Sequence, residues 1–425
     1  MIDPLEEAGL SDESNSAMRI VNLVRGGVAT TRPELGRLTG LGRSVVAQRV
    51  DRAIQLGLLE ELDGISTAAG RAPRRLRFRS ERGLLVTCAL GALHIHVGVA
   101  ALEGDVLAHV HREWDIARGP ELTLAAAFEM VAEVMRQVED APLWAIAVGV
   151  PGPVRFKTGR PVSSPMMPGW NGYDIRGRFE QQFDVPTWVD KDVNLLAIGE
   201  RARHQAPIDL IYCKIGTGLG AGLLSEGRIH RGAGGAAGDI GHARVVDDDV
   251  VCRCGKTGCL EAVASGWAIV RDAQQAIDQG AQGLLVDRIE AGADLSPELV
   301  SIAADDGDAL SLSLMQRSAQ LVGSSIATLV NAFNPSVIVI GGVVAGAGQV
   351  FLAEVRRRVY ELSLPVATQD LTIVRSPDDV REPLRGGMEL AREQLFAATF
   401  ARWFVDGSPS VRRCTAVRAL EPASY

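Results

Sequence analysis

A cluster of metal-binding residue types between positions 242 and 259 constrains the fold more than any other part of the sequence. His242 precedes Cys252, Cys254 and Cys259, and two glycines lie between the last two thiols. Three thiols and one imidazole are a standard closed ligand set for structural zinc, so we predict a tight knuckle around one tetrahedral ion. Buried free thiols are the alternative, but six cysteines in 425 residues would rarely cluster beside a histidine by chance.

The residues around this cluster resemble those of the ROK family. The window runs A-G-D-I-G-H before the thiols and ends C-L-E, with Glu261 two residues past the last cysteine. The family, named for repressors, open reading frames and kinases, unites bacterial sugar kinases with sugar-sensing transcription regulators. The resemblance covers roughly residues 15–400. It implies an α/β chain in which a winged helix-turn-helix precedes two lobes of the actin-like, hexokinase-type ATPase fold, with a ligand cleft between the lobes.

Charge is distributed unevenly along the chain, although the overall net charge is only −8. Residues 1–14 carry five acidic residues and no base, whereas residues 15–80 carry twelve arginines against five acidic residues. A basic N-terminal module therefore precedes an acidic body. This asymmetry is typical of a nucleic-acid-binding domain attached to another domain, and a solvated basic face is the alternative.

The basic segment has the pattern of a winged helix-turn-helix. We predict a first helix over residues 15–25 and a short second helix, which Thr31 and Glu34 begin as a capping box. A glycine turn leads to a third helix over residues 43–56, and a two-stranded wing follows. The wing tip, residues 70–73, reads G-R-A-P and resembles the Gly-Arg-Pro wing of ROK regulators.

Six residues of this module are predicted to contact DNA. In the third, recognition helix they are Arg43, Ser44, Gln48 and Arg49, which we expect in the major groove. In the wing they are Arg71 and Arg74, which we expect at phosphates or in the minor groove. The predicted partner is a double-stranded DNA operator, bound by a homodimer or a dimer of dimers.

The rest of the chain alternates β-rich and helical stretches with glycine-rich turns, which indicates α/β architecture. We predict four segments: an acidic flexible tail (1–14), the winged helix-turn-helix (15–80), the kinase-like body (81–400) and a C-terminal tail (401–425). The resemblance implies strand hairpins over residues 84–101 and 210–224. It also implies a lobe boundary near residue 200 and a C-terminal helix that returns to the first lobe.

Residues 318–353 contain no charged residue and could be mistaken for a membrane span. Asn334-Pro335 and Gly341-Gly342 interrupt the stretch, so we predict a buried helix, a strand over residues 337–340 and a glycine turn. The acidic N-terminus lacks the Lys or Arg of a signal peptide. We therefore expect a cytoplasmic protein with no membrane segment.

Two glycine-rich loops decide between a kinase and a regulator. The second phosphate loop of the family matches Gly216, Thr217, Gly218 and Gly220 in this chain. The first loop in active members resembles D-x-G-G-T-K, and the aligned stretch here is A-L-G-A-L-H. Ala89, Ala92 and Leu93 thus replace the residues that would organise magnesium and phosphate, and His94 replaces the lysine. We predict that kinase activity has been lost.

The resemblance also implies a sugar site whose polar residues are kept but altered. The motif V-D-K-D-V-N places Asp192 at the position of the family's general base and Lys191 at the position of an asparagine. Asp239 stands where the family has a glutamate, and its side chain is one methylene shorter. The full predicted set is Gly152, Asn171, Lys191, Asp192, Asp239, His242 and Glu261. His242 would serve twice, because one ring nitrogen can bind zinc while the other faces the pocket.

These residues predict a sugar-responsive transcription regulator, most simply a repressor, with a degenerate kinase cleft as its sensor and zinc as a structural cofactor. Two alternatives remain open. One is an ATP-dependent sugar kinase in which Asp192 still acts as general base, against which Ala89 argues. The other is a constitutive DNA-binding protein whose cleft binds nothing because Lys191 fills it. Lys191 could equally indicate an acidic or phosphorylated sugar.

Overall fold

The computed structural model describes residues 12–411 apart from short gaps. The gaps are positions 63–65, 68–69, 72–73, 139, 163–164, 205–206, 248, 347–348, 378–380 and 398. Most of the predicted acidic tail, Ala72 and Pro73 of the predicted wing tip, and residues 412–425 of the predicted C-terminal tail therefore lie outside the described residues.

Three helices and an antiparallel ribbon form the N-terminal module. The helices are α1 (Asp12–Arg25), α2 (Arg32–Thr39) and α3 (Arg43–Gln55). The strands are β1 (Leu59–Leu62), β2 (Ser66–Thr67), β3 (Gly70–Arg71) and β4 (Arg75–Phe78), of which β1 pairs with β4 and β2 with β3. This is the arrangement of a winged helix-turn-helix.

The ends of these helices follow from their capping residues. Thr31 caps α2 by accepting from the Glu34 N–H, while the Glu34 carboxylate accepts from the Thr30 and Thr31 N–H groups at 2.9 and 3.0 Å. This reciprocal capping box satisfies donors that the helix itself leaves free. Gly42 caps α3 without a side-chain hydrogen bond, which glycine tolerates at a cost of only a few tenths of a kcal/mol.

The first five-stranded sheet has the order β11-β8-β5-β6-β7. Its strands are β5 (Leu84–Leu90), β6 (His94–Ala101), β7 (Val106–Glu113), β8 (Leu143–Val150) and β11 (Thr187–Lys191). Strands β5, β8 and β11 are parallel, and β6 and β7 add an antiparallel edge. Helices α4 (Pro120–Met135) and α5 (Ile175–Phe183) share a core with one face of this sheet. Strand β5 is buried throughout because the other face is covered as well.

The second five-stranded sheet has the order β14-β13-β12-β15-β16. Its strands are β12 (Leu210–Ile215), β13 (Leu219–Ser225), β14 (Arg228–Ile229), β15 (Val337–Gly341) and β16 (Thr372–Arg375). Strand β12 pairs antiparallel with β13 and parallel with β15. Both hairpins that the family resemblance implies, β5–β6 and β12–β13, are therefore present.

The remaining elements connect and cover the two sheets. A short antiparallel ribbon is formed by β9 (Val154–Arg155) and β10 (Arg160–Pro161). The helices are α6 (Asp192–Arg201), α7 (Leu260–Ala264), α8 (Gly266–Asp278), α9 (Leu284–Glu290), α10 (Pro297–Asp305), α11 (Ala309–Phe333), α12 (Val343–Gly346), α13 (Val350–Leu362), α14 (Pro365–Thr368), α15 (Glu382–Leu395) and α16 (Phe400–Asp406).

The uncharged stretch from residue 318 to 353 folds as predicted into the end of α11, strand β15 and a glycine turn. Asn334 ends α11 in the left-handed conformation, with φ of 51°. Gly342 has φ of +93°, and an added Cβ would lie 2.4 Å from the Ile215 carbonyl oxygen, so the turn needs glycine. Among the described residues, no helix is both long and apolar enough to cross a membrane.

Helix α15 packs against α6 and the first sheet at very short range. A Cβ added to Gly386 would lie 1.7 Å from the Leu195 carbonyl oxygen of α6, and one added to Gly387 would lie 2.2 Å from Thr87 of β5. Gly386 therefore lets the backbones of α15 and α6 touch, and Gly387 lets α15 approach β5. Because α6 starts at Asp192, this contact connects α15 directly to a predicted site residue.

The N-terminal module and the last helices share one hydrophobic core. Ile20 and Val21 of α1 belong to the same buried cluster as Phe396, Phe400 and Trp403. Residues 401–406 of the predicted C-terminal tail belong to α16, and Trp403 is buried against the module. Large aromatic side chains gain most of their stabilising energy from such burial.

Candidate functional site

Most of the predicted ligand residues line one cleft beside the two sheets. It encloses about 530 Å³. Predicted residues that line it are Gly152, Lys191, Asp192, Asp239, His242 and Glu261 from the sugar set, and Gly216, Thr217, Gly218 and Gly220 from the glycine loop. Their grouping in one cavity, although they lie on many different elements, identifies the candidate ligand site.

Asn171, from the predicted sugar set, and its neighbour Trp170 do not line the cleft. Asn171 is exposed and is absent from the cleft lining, so its role in binding remains a prediction. Trp170 is fully buried and donates its indole N–H to the Ile116 carbonyl oxygen at 3.3 Å. Trp170 therefore packs in the core, and its ring is not available to stack on a sugar.

Asp192 has a partner that sequence reasoning missed. The Nζ of Lys214 lies 2.6 Å from one carboxylate oxygen of Asp192, and the other oxygen accepts from the Val193 N–H at 2.7 Å. Lys214 belongs to β12, in the other sheet. In the sequence, Lys214 lies just before the glycine loop, and this position was the signal that could have identified it as a site residue. The ion pair therefore engages one oxygen of the carboxylate that the family resemblance assigns as the general base.

Lys191 is buried at the end of β11, next to three carboxylates. Its Nζ donates to the Ala237 carbonyl oxygen at 2.8 Å. Burial lowers the pKa of Lys191, while Asp239, Asp192 and Asp190 act in the opposite direction and favour the charged form. Asp190 itself is paired with the Arg231 guanidinium at 2.7 Å. Lys191 thus offers N–H donors where the asparagine of the family pattern offers both donors and an acceptor.

Glu261 supplies a buried carboxylate to the cleft wall. Glu261 is only 3% exposed, and one of its carboxylate oxygens accepts from the Leu219 N–H at 3.1 Å. The other oxygen, Oε1, is buried and has no hydrogen-bond partner among the described residues. Burial raises the pKa of Glu261. An unsatisfied buried acceptor is costly in a folded protein and is satisfied when a ligand hydroxyl donates to it.

The degenerate first loop forms the β5–β6 turn. Ala89, Ala92, Leu93 and His94 all line the cleft. Alanine and leucine side chains carry no oxygen, so the side chains of Ala89, Ala92 and Leu93 cannot order a metal ion or its waters.

The second loop is held in place by packing. The Gly216 N–H donates to the Gly218 carbonyl oxygen at 2.9 Å, and the Gly216 carbonyl accepts from the Gly266 N–H at 2.8 Å. A Cβ added to Gly218 would lie 2.8 Å from a Glu261 oxygen. The close approach to Glu261 favours a glycine at position 218 whether or not a phosphate binds there.

A row of histidines on β6 and β7 was also missed. The rings of His94 and His96 lie 6.1 Å apart, and those of His96 and His111 stack at 5.9 Å. Burial and the neighbouring imidazoles lower the pKa of His96 to about 4. His96, which lines the cleft, is therefore neutral near pH 7.

The four predicted metal ligands converge. The ligand atoms of His242, Cys252, Cys254 and Cys259 all lie within 4.8 Å of one another. The Sγ atoms of Cys254 and Cys259 are 3.7 Å apart, and His242 Nδ1 is 3.6 Å from Cys252 Sγ. A tetrahedron with metal–sulfur bonds of about 2.3 Å has edges of about 3.8 Å, so these spacings fit a zinc-sized ion. The cluster could therefore hold a metal.

The predicted DNA-contacting residues fall into two groups. Arg43, Ser44 and Gln48 are exposed at the start of α3. Arg49, in contrast, donates to Ser16 at 3.1 Å and pairs with Glu13 at 2.5 Å, so α1 holds its guanidinium. In the wing, Arg74 pairs with Glu61 at 2.9 Å, and the side chain of Arg71 lies outside the part that the structure describes.

Comparison with known proteins places this geometry in a family. The ROK family matches residues 86–394. A xylose repressor of Caldicellulosiruptor bescii is 28% identical over 347 residues, which are 81% of this chain and 86% of the repressor. A ROK glucokinase from Streptomyces griseus, crystallised with glucose and AMPPNP, is 28% identical and superposes with a TM-score of 0.65 over 73% of this chain and 100% of its own.

A ROK family transcriptional regulator, described as a homologue of the E. coli MLC protein, superposes over more of the chain. Its TM-score is 0.79 at 24% identity, and the match covers 93% of this chain and 99% of that one. Coverage of 93% must include part of the N-terminal module, which lies before the residues that the family match spans. The chain therefore belongs to the ROK family, and its fold is that of the family's transcriptional regulators.

Proposed function

We propose that this protein is a sugar-responsive DNA-binding transcriptional regulator, acting as a repressor, whose cleft binds a carbohydrate. The observation that carries the proposal is Glu261, a buried carboxylate with an unsatisfied oxygen in a cleft that Asp239 and His242 also line. Vicinal hydroxyls of a sugar donate well to carboxylate oxygens that face one cavity. The relative named as a xylose repressor and the winged helix-turn-helix support the link to DNA.

For DNA contact we propose Arg43, Ser44 and Gln48 as the leading residues, since all three are exposed at the start of α3. Arg74 and Arg71 remain candidates for phosphate or minor-groove contact. Arg49 would have to leave Glu13 and Ser16 before it could reach a base. A homodimer, or a dimer of dimers, would read an operator of two half-sites.

We propose further that His242, Cys252, Cys254 and Cys259 hold structural zinc. A closed four-ligand site leaves no position for a substrate, so the ion would stabilise the fold and take no part in chemistry. Since His242 lines the cleft as well as the cluster, the ion would fix one side of the ligand site.

Phosphoryl transfer is not expected from this cleft. The reaction depends mainly on positioning and on neutralising phosphate charge with a metal ion. Ala89 offers no ligand for that ion, and the Lys214 ammonium occupies the carboxylate of Asp192. Against the alternative, an ATP-dependent sugar kinase with Asp192 as general base, stand the missing metal ligand at Ala89 and the pairing of the Asp192 carboxylate with Lys214.

Three measurements on the full chain test the proposal. Selection of double-stranded DNA from a random pool should yield a specific operator, and a panel of neutral sugars, sugar acids and sugar phosphates should contain a compound that changes its affinity. Specific DNA binding that no compound alters would favour the constitutive alternative. A coupled assay with ATP and magnesium should show no turnover, whereas turnover that Asp192→Asn abolishes would establish the kinase.

A further inference from the structure

Histidine is concentrated on two neighbouring strands of the first sheet. The chain has seven histidines. Four of them lie on β6 and β7, namely His94, His96, His109 and His111. Side chains two residues apart on a strand point to the same face of the sheet, so each strand presents its two histidines on one face. Because His96 and His111 are directly opposite each other in the register, all four imidazoles share one face of the β6–β7 hairpin.

Three of these rings need only small rotations to meet at one ion. The ring centres of His94 and His96 lie 6.1 Å apart, and those of His96 and His111 lie 5.9 Å apart. Metal–nitrogen bonds of about 2.1 Å at tetrahedral angles place ring centres about 5 Å apart, so each spacing must shorten by about 1 Å. His94 and His111 are exposed, and rotation about their side-chain bonds can provide this movement.

Glu113 is positioned to supply a fourth ligand. It lies directly opposite His94 in the register, on the same face of the hairpin, where Cβ atoms of paired residues are about 5 Å apart. Among the described residues, no side-chain hydrogen bond or ion pair involves Glu113. The Nδ1 atom of His96 is buried and likewise has no partner there. These ligand atoms would therefore give up no other bond to a described residue on binding an ion.

The surroundings of the three rings are compatible with a bound cation. Lys214 is a positive charge near His96, but its ammonium is paired with Asp192. The ligand set differs from the cluster at His242, because it contains nitrogen and oxygen atoms and no thiolate. On an open face of a sheet, an ion held by such ligands keeps positions for water and can exchange, whereas a closed four-ligand site retains its ion.

We propose that the β6–β7 face binds a divalent transition-metal ion at a site separate from the His242 cluster. The ligands are His94, His96, His111 and Glu113. Imidazole ligands suit Zn²⁺, Ni²⁺ and Cu²⁺, whereas Mg²⁺ prefers oxygen ligands. The ion would join the edge strand β7 to β6, beside the β5–β6 turn that lines the cleft.

The test titrates tag-free, full-length protein with nickel chloride in a calorimeter. We expect one Ni²⁺ per chain in addition to the metal retained on purification, and a higher melting temperature, because an ion that binds only the folded state stabilises it. Magnesium chloride at the same concentration should give neither effect. Elemental analysis before and after the titration shows whether nickel has displaced zinc from the His242 cluster.

Variants assign the added ion to the hairpin. His111→Asn and His96→Asn should each weaken Ni²⁺ binding at least about tenfold, since loss of a mere outer-shell partner typically costs 10–100-fold. His230→Asn is the matched control, because His230 is also exposed but follows β14 of the other sheet, and it should bind Ni²⁺ as the wild type does. Melting temperatures without metal show whether the variants fold. The exposed position of His111 keeps that variant informative even where His96→Asn is unstable.

Two results would overturn the inference. One is a titration in which no Ni²⁺ binds beyond the metal already present. The other is binding that His111→Asn leaves as tight as in the wild type, which would mean an adventitious ion only. Neither result bears on operator or sugar binding, because the titration contains no DNA and no sugar.

Discussion

At the residue scale, Arg43 and Arg49 have different surroundings although both lie on α3. Arg43 is exposed in the first turn, whereas Glu13 and Ser16 hold the Arg49 guanidinium. We expect Arg43→Ala to weaken operator binding by about 1–3 kcal/mol, the usual loss for a base contact. Fluorescence anisotropy with the selected operator measures this loss. Unchanged affinity would remove Arg43 from the interface.

Arg49 should behave as a positioning residue that orders α1 against α3. We expect Arg49→Ala to lower the melting temperature and to change operator affinity less than Arg43→Ala does. Glu13→Gln provides the control, because it removes the ion pair while keeping the shape. An exposed pair contributes at most about 1 kcal/mol, so this variant should bind DNA almost normally. Tighter binding by Glu13→Gln would instead show that Glu13 withholds Arg49 from DNA.

The metal cluster gives a second test at this scale. Cys254→Ser should remove one thiolate from the four-ligand set and lose the bound metal. Elemental analysis should find one zinc per chain in the wild type and much less in the variant. Cys88→Ala is the control, because Cys88 is buried in the first sheet and should leave the zinc content unchanged. A wild type purified without chelators that contains no zinc would contradict the assignment.

At the element scale, the contact between α6 and α15 depends on a glycine. Gly386→Ala would place a methyl carbon 1.7 Å from the Leu195 carbonyl oxygen. Overpacking of this kind typically costs about 1–3 kcal/mol, which exceeds the gain of about 1 kcal/mol from better helix propensity. Gly36→Ala in α2 is the matched control, since its nearest contact would be 3.6 Å away. Urea unfolding should show a lower free energy of unfolding for Gly386→Ala and no such loss for Gly36→Ala.

The sequence predicted elements better than it predicted contacts. Local signals placed the capping box at Thr31, the helix end before Pro335 and the His/Cys cluster, because each depends on residues close together in the sequence. The ion pair of Asp192 with Lys214 joins the start of α6 to β12 of the second sheet, and Arg49 meets Glu13 of another helix. Such pairs depend on how elements pack, which no local pattern encodes.

At the scale of the whole molecule, the N-terminal module shares its core with the last helices. Phe396, Phe400 and Trp403 pack with α1 residues, and Asn22 donates to the Phe396 carbonyl oxygen at 2.9 Å. We expect a fragment of residues 1–80 to be unstable, because removing a buried aromatic typically costs about 3–5 kcal/mol. Thermal unfolding of the fragment, followed by circular dichroism, tests this expectation. The same measurement on the full chain with Trp403→Ala should show a lower melting temperature. A cooperatively unfolding fragment would contradict the shared core.

The same shared core limits how such regulators can be recombined. Gly407, just after α16, lies so close to α3 that an added Cβ would be 2.9 Å from Leu56. In a chimaera, the DNA-binding module of one family member would be joined to the sensor of another. The shared core would then pair the module with aromatic side chains from a different protein. Functional hybrids should require the segment after α15 to be transplanted together with the N-terminus, so that the exchangeable unit is discontinuous in the gene.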